Sequence, residues 1–165
     1  FQEVSETPNN IIANLTDFML DPYGYADAEY IDFIKNNPVD KLIDLDADYQ
    51  ELSEEIKNGT RIWKEEIDYA ITELFKDMQD ENLQNKLLEN QKTWDAFAKD
   101  EFAFDEELIY SNQLGGHEVD LGLSTRYMLL CRNRALHIKY LHFMLECGIS
   151  DRDKTDYLSL KFKNA

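Results

Sequence analysis

The sequence predicts an all-α fold: an antiparallel helical hairpin or bundle with smaller helices at its N-terminal end. Three observations predict it. The chain has 165 residues but only 6 Gly and 3 Pro, so long stretches contain neither of the residues that interrupt helices. From about Arg61 to Leu145 apolar residues recur at intervals of three and four, the period of an amphipathic helix. Within that run the obvious break is Gly115-Gly116, and a break there folds one long helix back on another.

The elements are justified in chain order. Residues 1–8 are polar, end at Pro8 and read as a tail; Asn9 or Asn10 then caps a short helix carrying Ile11, Ile12, Leu15, Phe18 and Met19. Asp21-Pro22-Tyr23-Gly24 is a turn, and a second short helix with Tyr30, Ile31, Phe33 and Ile34 closes at Asn36-Asn37-Pro38. A third helix is expected over 39–57, stopped by Asn58-Gly59, with Thr60 capping the next. That next helix carries Ile62, Trp63, Ile67, Ile71, Leu74, Phe75 and Met78, and Asp80 either opens a new helix or interrupts this one. The stripe continues through Leu83, Leu87, Trp94, Phe97, Phe102, Phe104 and Leu108. Beyond the glycines, Leu121, Leu123, Tyr127, Leu130, Arg134, Ile138, Leu141 and Leu145 mark the return helix, which Gly148 ends; Ser150 is the expected cap of a last short segment. Three regions result: N-terminal helices packing on the main domain over 1–36, a main helical domain over 37–148, and a short C-terminal segment over 149–165.

Composition narrows the partners. A length of 165 residues fits one domain, and 43% hydrophobic residues suit a folded chain. No apolar run approaches the roughly 20 residues that span a bilayer, so no transmembrane segment is expected. The first residue is Phe1, with no basic region and apolar core after it, so any signal peptide is not in the sequence, and export is left open at this point. Acidic residues outnumber basic ones 34 to 17, for a net charge of −17. That balance repels phosphate backbones and speaks against nucleic acid; it favours solubility and encounter with a cationic protein.

The motifs offer little chemistry. Cys131 and Cys147 lie on one predicted helix at a separation of roughly 24 Å by helical rise, too far to pair, and read as core positions. Asp44, Asp46, Asp48 and Glu55 match four ligand positions of a calcium-binding helix–loop–helix, although Tyr49 stands where that loop turns on glycine. His137 and His142 fall on different sides of a helix, and His117 lies by the glycine turn. No metal site, nucleophile elbow or phosphate loop is legible, so neither catalysis nor a cofactor is expected. Asn14 and Asn58 meet the glycosylation pattern and read as chance. Tyr23, Tyr25 and Tyr30 read as packing residues of the N-terminal helices.

Asn37-Pro38-Val39-Asp40-Lys41, the segment from Trp63 to Leu74, the run Leu87-Leu88-x-x-Gln91-x-x-Trp94-x-x-Phe97, Gly115-Gly116 and Arg134 together resemble the LprI-like lysozyme-inhibitor family of bacterial exported proteins. The resemblance spans about residues 37–145. It implies a small non-enzymatic helical domain, exported to the periplasm or cell surface, whose partner is a protein, lysozyme among the possibilities. It also implies that Gln91 and Arg134 make polar contacts between the arms of the hairpin, that Trp94 is core, and that Gly115 and Gly116 shape the turn. Where that family carries two cysteines that staple the arms, this chain has Phe102 and, at the second place, Arg126, so apolar burial of Phe102 is expected instead. Residues 111–120 are the candidate partner-binding loop, with Ser111, Asn112, Gln113, His117 and Glu118 as its contact residues, and read equally well as a plain connector. The alternatives are an adaptor module of the envelope unrelated to lysozyme, and a calcium-binding module using the four carboxylates.

Overall fold

The computed structural model describes residues 20–164; the expected tail, the helix carrying Ile11 to Met19 and Asn14 lie outside them. The described residues are helical with no β-strand, an all-α bundle. They divide into two compact units at Asn37/Pro38.

In the first unit, the turn at residues 21–24 is closed by a bond from Gly24 N–H to the Asp21 carbonyl, and Gly24 takes a φ of 73°. The Asp21 carboxylate accepts the next two amides, from Tyr25 and Ala26. Helix α1 (Ala28–Lys35) starts on Asp27, whose side chain accepts from Tyr30 N–H at 2.8 Å. It ends at Asn36, and the side-chain amide of Asn37 donates to the Ile34 carbonyl.

The second unit contains three long helices: α2 (Tyr49–Asp77), α3 (Glu81–Ser111) and α4 (His117–Cys147). Helix α4 packs chiefly against α2, and α3 touches it along far fewer positions. Close pairs run from Gly59 with Met128 to Asp77 with His142, so α2 and α4 lie parallel. Helix α3 runs antiparallel to α4, since Gln91 faces Arg134 and Glu101 faces Arg126. The hairpin across the double glycine is therefore present, but the core lies between α2 and α4. Ile62, Trp63, Ile67, Ala70 and Ile71 of α2 are buried with Met128, Cys131, Ala135, Ile138 and Phe143 of α4.

Two expectations fail, for reasons visible in the packing. The helix expected over 39–57 starts only at Tyr49, because Asp48 caps it by accepting from Gln50 and Glu51 N–H; before it, Asp40–Leu42 is a single 3₁₀ turn. Nor does the chain stop at Asn58-Gly59. Helix α2 runs straight through, and Gly59 is instead the point of closest approach: a Cβ there would lie 2.6 Å from Met128 Sδ and 2.8 Å from Ile43 Cδ1. Gly59→Ala is expected to be nearly neutral, since about 1 kcal/mol of helix propensity offsets a clash with two flexible chain ends. Gly59→Leu overfills the crossing and is expected to cost roughly 1–3 kcal/mol. Urea unfolding of the two variants checks this, and equal stabilities would refute the close-approach reading. Asp80 does open a new helix, accepting from Asn82 and Leu83 N–H.

After Gly148 the chain forms two further 3₁₀ turns, Lys154–Asp156 and Leu158–Leu160, the first capped by Asp153 and not by Ser150. This segment is built into the second unit. Tyr157 and Phe162 are buried, edge-on to Phe143 and Trp63 respectively. Two wholly buried glutamates hold its backbone. Glu146 accepts from the amides of Leu158 (2.8 Å) and Ser159 (2.9 Å), and Glu66 from those of Lys163 (3.2 Å) and Asn164 (2.7 Å). Lys139, buried beneath the Phe162 ring, donates to the Lys161 carbonyl; burial pulls its pKa down to about 8.

Candidate functional site

The outer arm of the second unit, formed by α3 and the helix it faces, brings several of the sequence-selected residues together. Arg134 is 8% exposed and reaches across from α4. Its Nε donates to Gln91 Oε1 at 3.0 Å, its second guanidinium nitrogen to Asn90 Oδ1 at 2.8 Å, and its plane lies 5.7 Å from the centre of the Trp94 ring. Trp94 is only half-buried, contrary to its expected place in the core, because α3 stands off from α4 and a guanidinium fills the space between.

Further along the arm, Phe102 packs its ring 5.2 Å from that of Tyr127. Next to it Arg126 donates to both Glu101 and Asp105. Aromatic contact and a forked ion pair thus occupy the place considered for a staple between the arms. Cys131 and Cys147 are free thiols. Burial pushes Cys131 up to about 11, whereas Cys147 is exposed and is not the core residue expected.

At the tip, the connector is shorter than expected. Helix α4 begins at His117, so His117 and Glu118 form its first turn and the loop proper is residues 112–116. Asp120 N–H bonds back to the Gly116 carbonyl, and the acidic Glu118 and Asp120 sit where the helix dipole favours them. Ser111 ends α3, the Asn112 side-chain amide donates to the Leu108 carbonyl, and Gln113 takes a positive φ of 57°. Gly115 passes under the Tyr110 ring, where a Cβ would be 2.6 Å from Cε1, and the Tyr110 hydroxyl donates to Asp120. All of residues 111–118 are exposed, and His117 meets the Tyr49 ring at 4.6 Å. Ser111, Asn112, Gln113, His117 and Glu118 therefore share one exposed, shaped tip.

The four carboxylates of the candidate calcium loop are not assembled. The loop's second half is helix α2, Asp48 is spent as its cap, Asp44 accepts from Asp46 N–H, and Glu55 accepts from Asp44 N–H. Sequence reasoning missed a different cluster. Asp77, His142 and Glu146 present ligand atoms within 4.8 Å of one another. A cation already occupies this cluster: Arg152 donates to both carboxylates, and His142 Nε2 lies 2.5 Å from Asp77 Oδ2, too close for two ligands of one metal. With the amides of Leu158 and Ser159 also on Glu146, the group is a clamp for the C-terminal segment.

The other feature the sequence did not reveal is a groove of about 570 Å³ between the α2–α3 turn and the end of α4, lined by Leu74, Leu83, Leu87, Ile138, Leu141 and Leu145. The rest of α3 is no better covered: Phe97 is 50% exposed, Phe104 62% and Leu108 51%. Among the described residues no helix is long and apolar enough to cross a membrane. Comparison with family models, curated proteins and solved structures gave no match to this chain.

Proposed function

We propose that this chain is a non-catalytic, exported binding protein whose partner is a basic protein, with lysozyme the first partner to test. One observation carries the reading: α3 exposes large apolar side chains on the surface of a chain with a net charge of −17. Apolar anchors supply affinity, and the surrounding acidity selects and steers a cationic partner. The non-catalytic part is supported by how the buried ionisable groups are used. Glu66, Glu146, Asp77 and His142 are all engaged in holding the C-terminal segment. The lysozyme part rests on the LprI-like motifs and on the exposed tip, which stands at the end of a braced hairpin as an element able to enter a cleft. The exposed face of α3 favours a second reading, an envelope adaptor that docks another protein along that helix and ignores lysozyme.

The test is hydrolysis of a cell-wall suspension by several lysozymes with increasing protein, at low and physiological salt. Inhibition saturating near one-to-one, and reduced at least tenfold when Gln113, His117 and Glu118 are changed to alanine, is the expected result. Absence of inhibition at low salt, where attraction between opposite charges is strongest, would remove lysozyme and leave the adaptor reading.

A further inference from the structure

The groove and the exposed side of α3 form one continuous surface. Leu83, Phe97, Phe104 and Leu108, all exposed, follow one another at intervals of fourteen, seven and four residues. The first three share one core position of a heptad repeat and Leu108 holds the other, with Asn90 and Glu101 as polar members of the row; this is the spacing by which one helix presents a seam to another. The side of α3 turned to α4 lies next to this stripe and is marked by buried Leu87 and Ala98, by Gln91 and Phe102, and by Trp94 against the Arg134 guanidinium. The stripe is open, and Leu83 at its N-terminal end also lines the groove together with buried Leu87. From Leu83 to Leu108 it extends roughly 38 Å at helical rise.

We propose that this surface receives a single basic amphipathic helix of a partner protein. The helix lies along α3, with the apolar residues at one end seated among Leu74, Leu141 and Leu145. The proposal rests on the reading of the chain as a binder of basic proteins and names the mode of binding. A helix is the occupant because a seam with a period of 3.5 residues is matched along its length only by another helix, and because an apolar groove at the end of a seam is how such helices are anchored. The occupant is basic because of charge. Helix α3 carries eight acidic residues against Lys86, Lys92 and Lys99, and Asp80 lines the groove. The same charge speaks against a second copy of this chain, which would set one acidic helix against another with a net −17 on each side.

Trp94 makes the test direct. Of the two tryptophans, Trp63 is wholly buried and Trp94 is half-buried at the edge of the seam, three residues from Phe97, so a change in emission on binding reports the seam. The probe is a synthetic 25-residue peptide with leucine at a and d positions and lysine or arginine elsewhere. Its control is a peptide of identical composition, permuted so that the leucines fall on no single face. At physiological salt, the amphipathic peptide is expected to bind one-to-one by calorimetry, blue-shift the emission, and bind at least tenfold tighter than the permuted one. The double change Phe97→Asp with Phe104→Asp, at two exposed positions where circular dichroism should show an intact fold, is expected to weaken binding at least tenfold.

Equal binding of the two peptides would mean attraction by charge alone and overturn the proposal, as would binding that the double change leaves intact. A dimer in sedimentation that Phe97→Asp dissociates would identify the occupant as a second copy, and also overturn it. If the peptides fail while lysozyme is inhibited through the tip, this inference falls and the proposed function stands; if neither peptide nor basic protein binds, both fall.

Discussion

Glu146→Ala is expected to cost roughly 3–5 kcal/mol, the range seen when one member of a buried ionic network is removed. Few single changes in this chain should do more damage, and against a typical total stability of about 5–15 kcal/mol it would leave the protein marginal. The side chain is wholly buried, and its two oxygens accept from Leu158 N–H, Ser159 N–H and Arg152. Alanine leaves two amides without acceptors, that of Ser159 fully buried, and takes one of its acceptors from Arg152. Each such group costs about 1–3 kcal/mol, and the cavity left by the side chain adds to that. Glu146→Gln keeps one acceptor oxygen and should fall between the two. Urea unfolding gives the magnitude, and hydrogen exchange at Leu158 and Ser159 gives the mechanism: their protection should collapse before that of α2. A loss below about 1 kcal/mol, with these amides still protected, would show that the C-terminal segment is held by Tyr157 and Phe162 instead.

The same residues show where reading the sequence succeeds and where it stops. The long helices were legible because their periodicity and caps are local: Asp80 opens α3 through its own side chain, and Gly148 follows the last residue of α4. Gly59 misled because a glycine in a helix says nothing about what crosses it; that information lies in Ile43 and Met128. On α4 the stripe of Leu130, Leu141 and Leu145 looks like the core face, yet Leu145 lines the groove and is 37% exposed. The face against α2 and the C-terminal segment includes Lys139, His142 and Glu146, which any hydrophobicity pattern assigns to solvent. Their partners are the Lys161 carbonyl for Lys139, the Asp77 carboxylate of α2 for His142, and two backbone amides and an arginine beyond the end of the helix for Glu146, which a helical periodicity cannot contain. At the candidate site, the pairing of Gln91 with Arg134 was within reach through the family resemblance. The open seam on α3 was not: a chain with one apolar stripe per helix is read as satisfying them all internally, and nothing local distinguishes Phe97 and Phe104 from core residues.

Acid should weaken the fold through Asp77 in a definite window. The Arg152 guanidinium bonded to its carboxylate, opposed by burial and aided by His142, holds its pKa at about 2. The unfolded chain titrates near the ordinary value of 3.8. A folded pKa below the unfolded one means that the unfolded state takes up the proton first, so stability falls as pH falls. The contribution is complete above about pH 5 and is lost on going down through pH 4 to about pH 2. With the side chain 11% exposed, solvent screens it little, and the displacement corresponds to about 2 kcal/mol. Asp77→Asn removes the titration while keeping nearly the same shape. The variant should be less stable than the parent by about that amount at pH 7, and the gap should close toward pH 2. Denaturant midpoints for the two proteins at several pH values between 2 and 7 measure it, and the difference between them isolates Asp77 from the other carboxylates that also protonate. A gap that stays constant across the whole range would mean that Asp77 acts through packing and hydrogen-bond geometry alone, and that the charge of the clamp contributes nothing to holding the C-terminal segment.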